Sequence, residues 1–189
     1  MNSQTSIEAF TPQSNSLRPR YGIAIVHMQE YYLSLLEPIA RRSFLEANRR
    51  VVTEAAHYNM PVTFLELENS DTRSKYYADN GPTSPALYAH LPPSPLRKVF
   101  RIECTDGFRH PEVTPWFKEH FVNTIVIGGL WASGCVISTA DGAHDNFAVQ
   151  ILDDCIMNGE RKLVKRDYAR YLSSDAWRAE WKTLPREKQ

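Results

Sequence analysis

The sequence predicts an α/β protein in which helices cover both faces of a mostly parallel sheet. Apolar runs of strand length alternate along the chain with segments whose apolar residues recur at helical spacing. The clearest example is a β-α-β unit, with a β-branched run over Thr124–Leu130, a helical pattern after it, and a second apolar run over Ala148–Leu152. Continuous apolar runs of this kind are typical of parallel strands buried on both faces. We therefore expect a three-layer α/β/α architecture around a mostly parallel sheet.

The first part of the chain supplies two strands and a helix. Tyr21–Val26 is apolar throughout and predicts the first strand, and Pro61–Leu67 predicts the second. Between them, an amphipathic helix ends near Asn59. Its inward face is apolar and consists of Phe44, Leu45, Val51, Val52, Ala55, Ala56 and Tyr58.

A long irregular segment separates the second strand from the third. Residues from about Glu68 to Pro95 are polar and include five prolines and one glycine. A loop of this length inside a compact domain is usually functional or partly mobile. Its tyrosines either close over a site or lie at an oligomer contact (Tyr76, Tyr77 and Tyr88).

The third strand is predicted at Val99–Ile102, and a helix with aromatic residues on its apolar side follows over Thr114–Phe121. At the C-terminus, Trp177 and Trp181 stand four residues apart on a helical pattern. Two indoles on one stripe usually pack against the core, so we expect a helix there and no sixth strand.

Domain organisation follows from composition. Residues 1–20 are rich in Ser, Asn and Gln and lack an apolar signal core, so they predict a flexible arm ahead of a single domain over residues 21–189. The 22 basic and 22 acidic residues cancel, which argues against nucleic acid or an anionic membrane as a partner. No apolar run approaches the roughly 20 residues that span a bilayer. Three cysteines without paired spacing predict a cytoplasmic protein.

Cys135 is the strongest candidate for chemistry. It follows the strand over Thr124–Leu130 after a few small residues, and it opens the helical pattern. A thiol at a helix N-terminus lies near unpaired backbone N–H groups, which favour the thiolate and can bind an oxyanion. The alternative is a buried cysteine that packs like a small hydrophobic residue.

The run GGLWASGCVISTADGAHDNFAVQILDD resembles the signature segment of the isochorismatase-like cysteine hydrolases. In that family, a Gly-Val-x-Thr-x-x-Cys-Val turn carries the nucleophile and a Thr-x-x-x-Ala helix follows it. The resemblance covers about Tyr21 to Cys155 and is closest around Cys135. It implies a sheet of strand order 3-2-1-4-5, usually with a sixth strand, and a homo-oligomer, either a dimer or a tetramer.

That strand order makes strands 1 and 4 neighbours where the winding of the sheet reverses. Ligands of such sheets bind beyond the carboxyl ends of the strands at this point. His27 comes directly after the first strand, and the turn after the fourth strand leads to Cys135. We therefore expect these two residues to share one crevice.

The positions after strands 1 and 3 depart from the family pattern. Where the family has the general base in Asp-x-Gln-x-x-Phe, this chain has His27, with Gln29 and an aromatic residue, Tyr32, retained. The family's lysine position falls on Ile102. A longer spacing, found in some nicotinamidases, selects Lys98, and a one-residue bulge presents Arg101. These alternatives remain open.

Two interpretations follow. In the first, His27 takes the Cys135 proton to give a thiolate-imidazolium pair, Glu103 or Asp106 orients the imidazole, and Arg101 or Lys98 holds an anionic substrate. The pKa of the Cys135 thiol would then lie well below the usual value of about 8.5. In the second, the pocket persists but hydrolysis is lost, and the protein is a pseudoenzyme that binds a small ligand or a protein partner.

For the hydrolase, the resemblance implies attack on a small amide, imide or ester through an acyl-enzyme. The backbone N–H groups of Trp131 and Cys135 would form the oxyanion hole, with a cis peptide between Leu130 and Trp131. Isochorismate cleavage is not expected, because it needs proton donation by the missing aspartate.

We expect three aromatic residues and one serine to line the substrate pocket, namely Tyr32, Phe108, Trp131 and Ser133. We expect no cofactor. A metal site is also not expected, since Asp71 and Asp79 have no neighbouring histidine except His90.

Overall fold

A computed structural model describes residues 20–68, 80–158 and 171 of the chain. In these ranges, five strands form one parallel sheet in the order β3-β2-β1-β4-β5, which confirms the expected fold class and strand order. The strands are Tyr21–Val26 (β1), Val62–Leu67 (β2), Arg97–Ile102 (β3), Thr124–Leu130 (β4) and Ala148–Met157 (β5).

Several sequence predictions fall outside the described residues. They are the N-terminal arm, the helix that carries Trp177 and Trp181, the absence of a sixth strand, and the loop residues Tyr76 and Tyr77.

Four α-helices connect the described strands, and none of them is long and apolar enough to cross a bilayer. They are Glu30–Ser34 (α1), Pro38–His57 (α2), Val113–Glu119 (α3) and Ile137–His144 (α4), and a π-helical turn over Ala132–Val136 leads into α4. The sequence analysis missed α1, because a helix of five residues is too short to show a periodic pattern.

Two apolar clusters lie on opposite faces of the sheet. On one face, α2 packs its buried residues Phe44, Val51 and Val52 against Ile23 and Ile25 of β1. On the other face, buried residues of α3, of the π-helical turn and of α4 pack against β4 (Val113, Trp116, Phe117, Val136, Ala140, Ile125 and Ile127). Because β1 and β4 are covered on both sides, their continuously apolar sequences are accounted for.

β5 extends further than its apolar sequence predicts. The expected strand ended at Leu152, because two aspartates follow it, but the observed strand continues to Met157. A register shift opposite β4 leaves Asp153 and Asp154 exposed and returns Cys155 and Ile156 to the interior. The extra residues of such a bulge interrupt the alternation from which the strand end was predicted.

β1 and β4 pair up to their carboxyl ends, which lead to His27 and to the turn that carries Cys135. Val26, the last residue of β1, pairs with Gly129 of β4. Gly129 has a φ of 119°, and a Cβ atom there would collide with the backbone of Val26. Only glycine therefore allows the two strands to approach this closely at their carboxyl ends.

We expect Gly129→Ala to lower the free energy of unfolding by about 2–4 kcal/mol, because it adds both a backbone collision and a disfavoured φ. Urea denaturation measures this loss. The matched control is Gly134→Ala, since no atom lies within 4 Å of a Cβ built at Gly134. Equal stability of the two variants would contradict the proposed role of Gly129 in strand approach.

Candidate active site

His27 lies at the carboxyl end of β1 in a left-handed backbone conformation, with a φ of 49°. Its backbone N–H donates to the Leu65 carbonyl at 2.9 Å. The side chain is fully buried, and neither ring nitrogen has a hydrogen-bond partner among the described residues. Burial lowers the pKa of His27 to about 4, so the imidazole is neutral at pH 7.

The turn after β4 presents Cys135. The peptide bond between Leu130 and Trp131 is cis, as the family resemblance implies. The Trp131 carbonyl accepts the N–H groups of Gly134 at 3.0 Å and of Val136 at 3.1 Å, which closes the turn around the cysteine. Cys135 is only 7% exposed.

Two nearby backbone N–H groups, those of Trp131 and Cys135, favour the thiolate form of Cys135 and so act to lower the pKa of its thiol. Burial has the larger effect and raises the pKa of the thiol above its ordinary value, and the nearby Cys104 raises it further. The resting site therefore holds a protonated thiol, and the two backbone N–H groups favour a negative charge that forms on its sulfur.

The expected thiolate-imidazolium pair is not formed in this structure. Neither nitrogen of His27 is hydrogen-bonded to the Cys135 sulfur. Burial acts on both groups in the direction of their neutral forms, raising the pKa of Cys135 and lowering that of His27. The prediction of an acidic thiol was thus wrong, because it considered the neighbouring imidazole and omitted the cost of desolvation.

Tyr32 connects the two strand ends. Its ring stacks on His27 with centroids 5.9 Å apart and contacts the edge of Trp131 at 6.2 Å. Tyr32 is 7% exposed, and burial, with a smaller contribution from the charge of Cys135, raises its pKa to about 12. His27, Tyr32, Trp131 and Cys135 therefore form one cluster at the switch point of the sheet.

The basic residues proposed for the site lie elsewhere. Lys98 lies near the start of β3, at the amino-terminal end of the strand and away from its carboxyl end. Its Nζ forms an ion pair with Glu112 at 3.1 Å. Arg101 is exposed, on the opposite face of β3 from Ile102. Ile102 itself is 1% exposed and belongs to the same buried cluster as Cys135.

The acidic residues proposed to orient His27 make other contacts or face solvent. Glu103 is exposed. The Asp106 carboxylate accepts the backbone N–H of Phe108 at 2.9 Å and lies against Gly142 of α4. Neither residue hydrogen-bonds to the imidazole.

Phe108 is half-buried and packs against the apolar cluster on the α3 side of the sheet. Its ring stacks on Phe117 of α3 with centroids 6.0 Å apart and also contacts Phe147. These ring contacts hold the segment after β3 against α3 and against the connection between α4 and β5, and the substrate contact at Phe108 stays a prediction.

Asn158 supports the cysteine turn and was not found by sequence analysis. Its Oδ1 accepts the Ser133 N–H at 2.9 Å and lies 3.0 Å from the Ser133 Oγ, and its Nδ2 donates to the same hydroxyl at 2.7 Å. Ser133, expected to bind substrate, is thus engaged by a buried amide at the end of β5. An Asn after a strand has no distinctive local pattern, so only the tertiary structure identifies it.

Gln29 holds the returning segment of the long loop at the same edge. Its side chain accepts the Leu67 N–H at 2.7 Å and donates to the Gly81 carbonyl at 2.8 Å. Gln29, which the family pattern retains, therefore connects the ends of β1 and β2 to the loop segment that contains Gly81. Gln29 also forms an isolated β-bridge with Thr83 of that segment.

Across residues 20–68, 80–158 and 171, no group of three or more His, Cys, Asp or Glu side chains is arranged to hold a metal ion. His90, the one histidine considered for such a site, lies 2.8 Å from the Thr53 hydroxyl on the outer side of α2. Asp71 and Asp79 lie outside the described residues.

Comparisons with known proteins agree with this architecture. A family model described as the isochorismatase domain matches residues 22–177. A search of curated proteins finds no significant match.

Three solved structures illustrate the similarity of fold. An isochorismatase-like hydrolase from Alkaliphilus metalliredigens has a TM-score of 0.71 and 16% identity, covering 86% of this chain and 99% of its own. N-carbamoylsarcosine amidase from Thermoplasma acidophilum has a TM-score of 0.66 and 20% identity, with 79% and 90% covered. A nicotinamidase from Staphylococcus aureus has a TM-score of 0.63 and 13% identity, with 81% and 94% covered.

The Ser133–Asn158 pair generates a prediction about the cysteine turn. We expect Asn158→Ala to lower the free energy of unfolding by about 1–3 kcal/mol, because it leaves a backbone N–H and a hydroxyl without their partner. A double-mutant cycle with Ser133→Ala, measured by urea denaturation, should show coupling of at least about 0.5 kcal/mol. Strict additivity of the two changes would mean that the hydrogen bonds do not support the turn.

Burial of neutral His27 generates a prediction about pH. Its folded pKa of about 4 lies below the unfolded value of 6.5, so its contribution to stability is complete above pH 6.5 and is lost as the pH falls through 4. At pH 4.5 the expected loss is about 2–3 kcal/mol relative to pH 7.

His27→Asn should remove this part of the pH dependence, since asparagine tolerates the left-handed backbone and does not titrate. The control is His57→Asn, at an exposed histidine on α2. Denaturation midpoints at pH 7 and 4.5 give the comparison. If His27→Asn and the wild type lose equal stability on acidification, His27 is not the buried neutral group described here.

Proposed function

Because the chain belongs to the isochorismatase family, we propose that it is a cysteine hydrolase that cleaves a small amide, imide or ester through Cys135. The observation that carries this proposal is the pairing of two features at one strand junction. A buried thiol lies against two backbone N–H groups, and a buried imidazole with no partner among the described residues follows the neighbouring strand.

The unpartnered imidazole supports a ligand site rather than a structural role. A buried polar group without a partner costs about 1–3 kcal/mol, and structural histidines normally avoid that cost through a hydrogen bond. A substrate that offers a hydrogen-bonding atom to His27 recovers part of this free energy on binding. Buried polar groups without a partner are expected mainly at functional sites.

In the proposed reaction, His27 receives the proton of the Cys135 thiol as the sulfur forms a bond to the substrate carbonyl carbon. The carbonyl oxygen becomes negatively charged next to the N–H groups of Trp131 and Cys135. The bond to the leaving group then breaks, and the imidazolium returns its proton to that group. Water hydrolyses the resulting thioester by the same sequence of transfers and regenerates the thiol.

The low basicity of His27 affects the two proton transfers differently. A pKa of about 4 makes the imidazole a weak base for the thiol, but it makes the imidazolium a strong acid for the leaving group. Cleavage of amides, whose nitrogen must be protonated to leave, therefore suits this site. The names of two structural neighbours, an N-carbamoylsarcosine amidase and a nicotinamidase, agree with that class of bond.

A second function, ligand binding without hydrolysis, is favoured by one specific observation. The two family positions expected to carry an acid and a lysine hold a neutral histidine and a buried isoleucine, His27 and Ile102. In this second function, the site beside Tyr32 and Trp131 binds a small molecule without cleaving it. The two functions differ in whether Cys135 forms a covalent intermediate that turns over.

Intact-protein mass spectrometry with a panel of small amides and activated aryl esters tests the proposal. We expect an acyl adduct that disappears with time as product accumulates, and that Cys135→Ser abolishes. Cys104→Ser and Cys155→Ser serve as matched controls and should retain the adduct. Ligand-induced thermal stabilisation without any adduct would favour the binding function and contradict the hydrolase.

A further inference from the structure

A carboxylate is buried near the carboxyl end of β2. Glu66 is only 7% exposed, and its Oε1 accepts the Thr83 backbone N–H at 2.6 Å. None of the ion pairs formed within residues 20–68, 80–158 and 171 includes Glu66. Buried carboxylates usually have a cationic partner, because removing an isolated charge from water costs much free energy. Glu66 therefore lacks the kind of partner that its burial favours.

A buried hydroxyl without a partner lies next to this carboxylate. Thr83 is 1% exposed, and its Oγ1 has no hydrogen-bond partner in the part of the chain that the structure describes. Because the N–H of the same residue binds Glu66, the hydroxyl and the carboxylate belong to one contact. Folded proteins rarely bury polar atoms without a partner except where a ligand, an ion or a water binds. The two side chains together offer oxygen acceptors to a ligand that donates hydrogen bonds.

Backbone hydrogen bonds place this pair of side chains beside the end of β1. The His27 N–H donates at 2.9 Å to the carbonyl of Leu65, the residue that precedes Glu66. Gln29 forms an antiparallel bridge with Thr83, so the loop segment runs beside the residues that follow His27. Ligands of such sheets bind beyond the carboxyl ends of the strands near the switch point. The pair therefore lies on the β2 side of the candidate site.

We propose that the Glu66 carboxylate and the Thr83 hydroxyl bind a cationic nitrogen group, a protonated amine or an amidinium, on the small molecule that enters this site. The N–H groups of the ligand would donate to both oxygens, and its charge would neutralise the carboxylate. Hydrogen bonds in which both partners are charged are among the strongest that proteins form. The inference rests on the proposed function only in taking this edge of the sheet as the ligand site, and it names the class of ligand.

The cation that lies nearest in the sheet register does not neutralise Glu66. Arg101 of β3 is the register partner of Glu66, so the two side chains project from the same face of the sheet. Arg101 is nevertheless exposed, and the ion pairs of the described residues do not include it. The carboxylate is therefore available to a cation that a ligand supplies.

The alternative role of Glu66 is to hold the loop through Thr83. That role requires an oxygen acceptor but no charge, whereas recognition of a cation requires the charge. Glu66→Gln separates the two roles, because it keeps an oxygen that accepts the Thr83 N–H and removes the negative charge. The matched control is Glu68→Gln, at an exposed carboxylate two residues further along the same segment.

The test compares ligands of the same shape that differ in charge. They are 4-aminobutanamide against pentanamide, and benzamidine against benzamide, titrated at pH 7 by isothermal calorimetry in a Cys135→Ser background so that no amide is consumed. We expect the cationic member of at least one pair to bind about tenfold more tightly than its neutral counterpart. Equal affinities within both pairs, or no binding of either cation up to about 10 mM, would overturn the inference.

Glu66→Gln should lower the affinity for the cation about tenfold and leave that for the neutral ligand unchanged, which removes the selectivity. Glu68→Gln should retain it. A preference that survives Glu66→Gln contradicts the proposed site. An equal loss in both variants also contradicts it, because the preference would then come from the general negative field of the segment.

A second variant covers the case in which Glu66→Gln does not fold, which urea denaturation detects. Thr83→Val keeps the backbone N–H that binds Glu66 and replaces only the hydroxyl, with a side chain of similar shape. It should weaken binding of the cation about threefold to tenfold. Unchanged affinity in Thr83→Val would reject the part assigned to the hydroxyl, and with it the proposed pair.

The two proposals fail in different ways. Selective binding of the cations that depends on Glu66, without an acyl adduct from any amide or ester, supports the binding site and rejects the hydrolase. Turnover of amides through Cys135 with no preference between the members of a pair supports the hydrolase and rejects the role of Glu66.

Discussion

The close pairing of β1 and β4 at their carboxyl ends is the constraint on which the candidate site depends. Gly129 brings the backbone of β4 against Val26, and the chains leave the sheet at adjacent points. His27 follows one strand and the turn that carries Cys135 follows the other. A larger residue at position 129 would separate two side chains that are more than 100 positions apart in the sequence, and the site would lose its geometry.

The cluster at this edge combines strong burial with an absence of formal charge. Desolvation favours the neutral form of three groups. It lowers the pKa of the His27 imidazole and raises the pKa of the Tyr32 phenol and of the Cys135 thiol. Neutral groups in a medium of low polarity interact weakly at rest but strongly with any charge that develops among them. In the proposed hydrolase, the thiol would therefore become reactive only when a substrate supplies the electrophile.

Hydrogen bonds from outside the cluster hold its supporting segments. Asn158 fixes the cysteine turn from the end of β5, and Gln29 fixes the returning loop from the start of α1. Thr139 of α4 accepts the Gly107 N–H at 3.2 Å and donates to the Thr105 carbonyl at 3.2 Å, so the segment after β3 is held against the helix that follows Cys135. The position of the thiol thus depends on three different strand ends.

The sequence by itself determined the fold class and the candidate nucleophile. Apolar runs such as Thr124–Leu130 report burial through local composition alone, and the small residues around Cys135 indicate the turn that carries it. Resemblance to a family added the strand order. Only the tertiary structure decided which side chains face the site, because a shift of one residue along a strand moves a side chain to the other face of the sheet. For that reason Ile102 is buried with Cys135 while Arg101 is exposed, and Lys98 pairs with Glu112 at the far edge. The burial of the His27 imidazole without a hydrogen-bond partner among the described residues, and the support from Asn158, depend on contacts between distant segments, which no local pattern records.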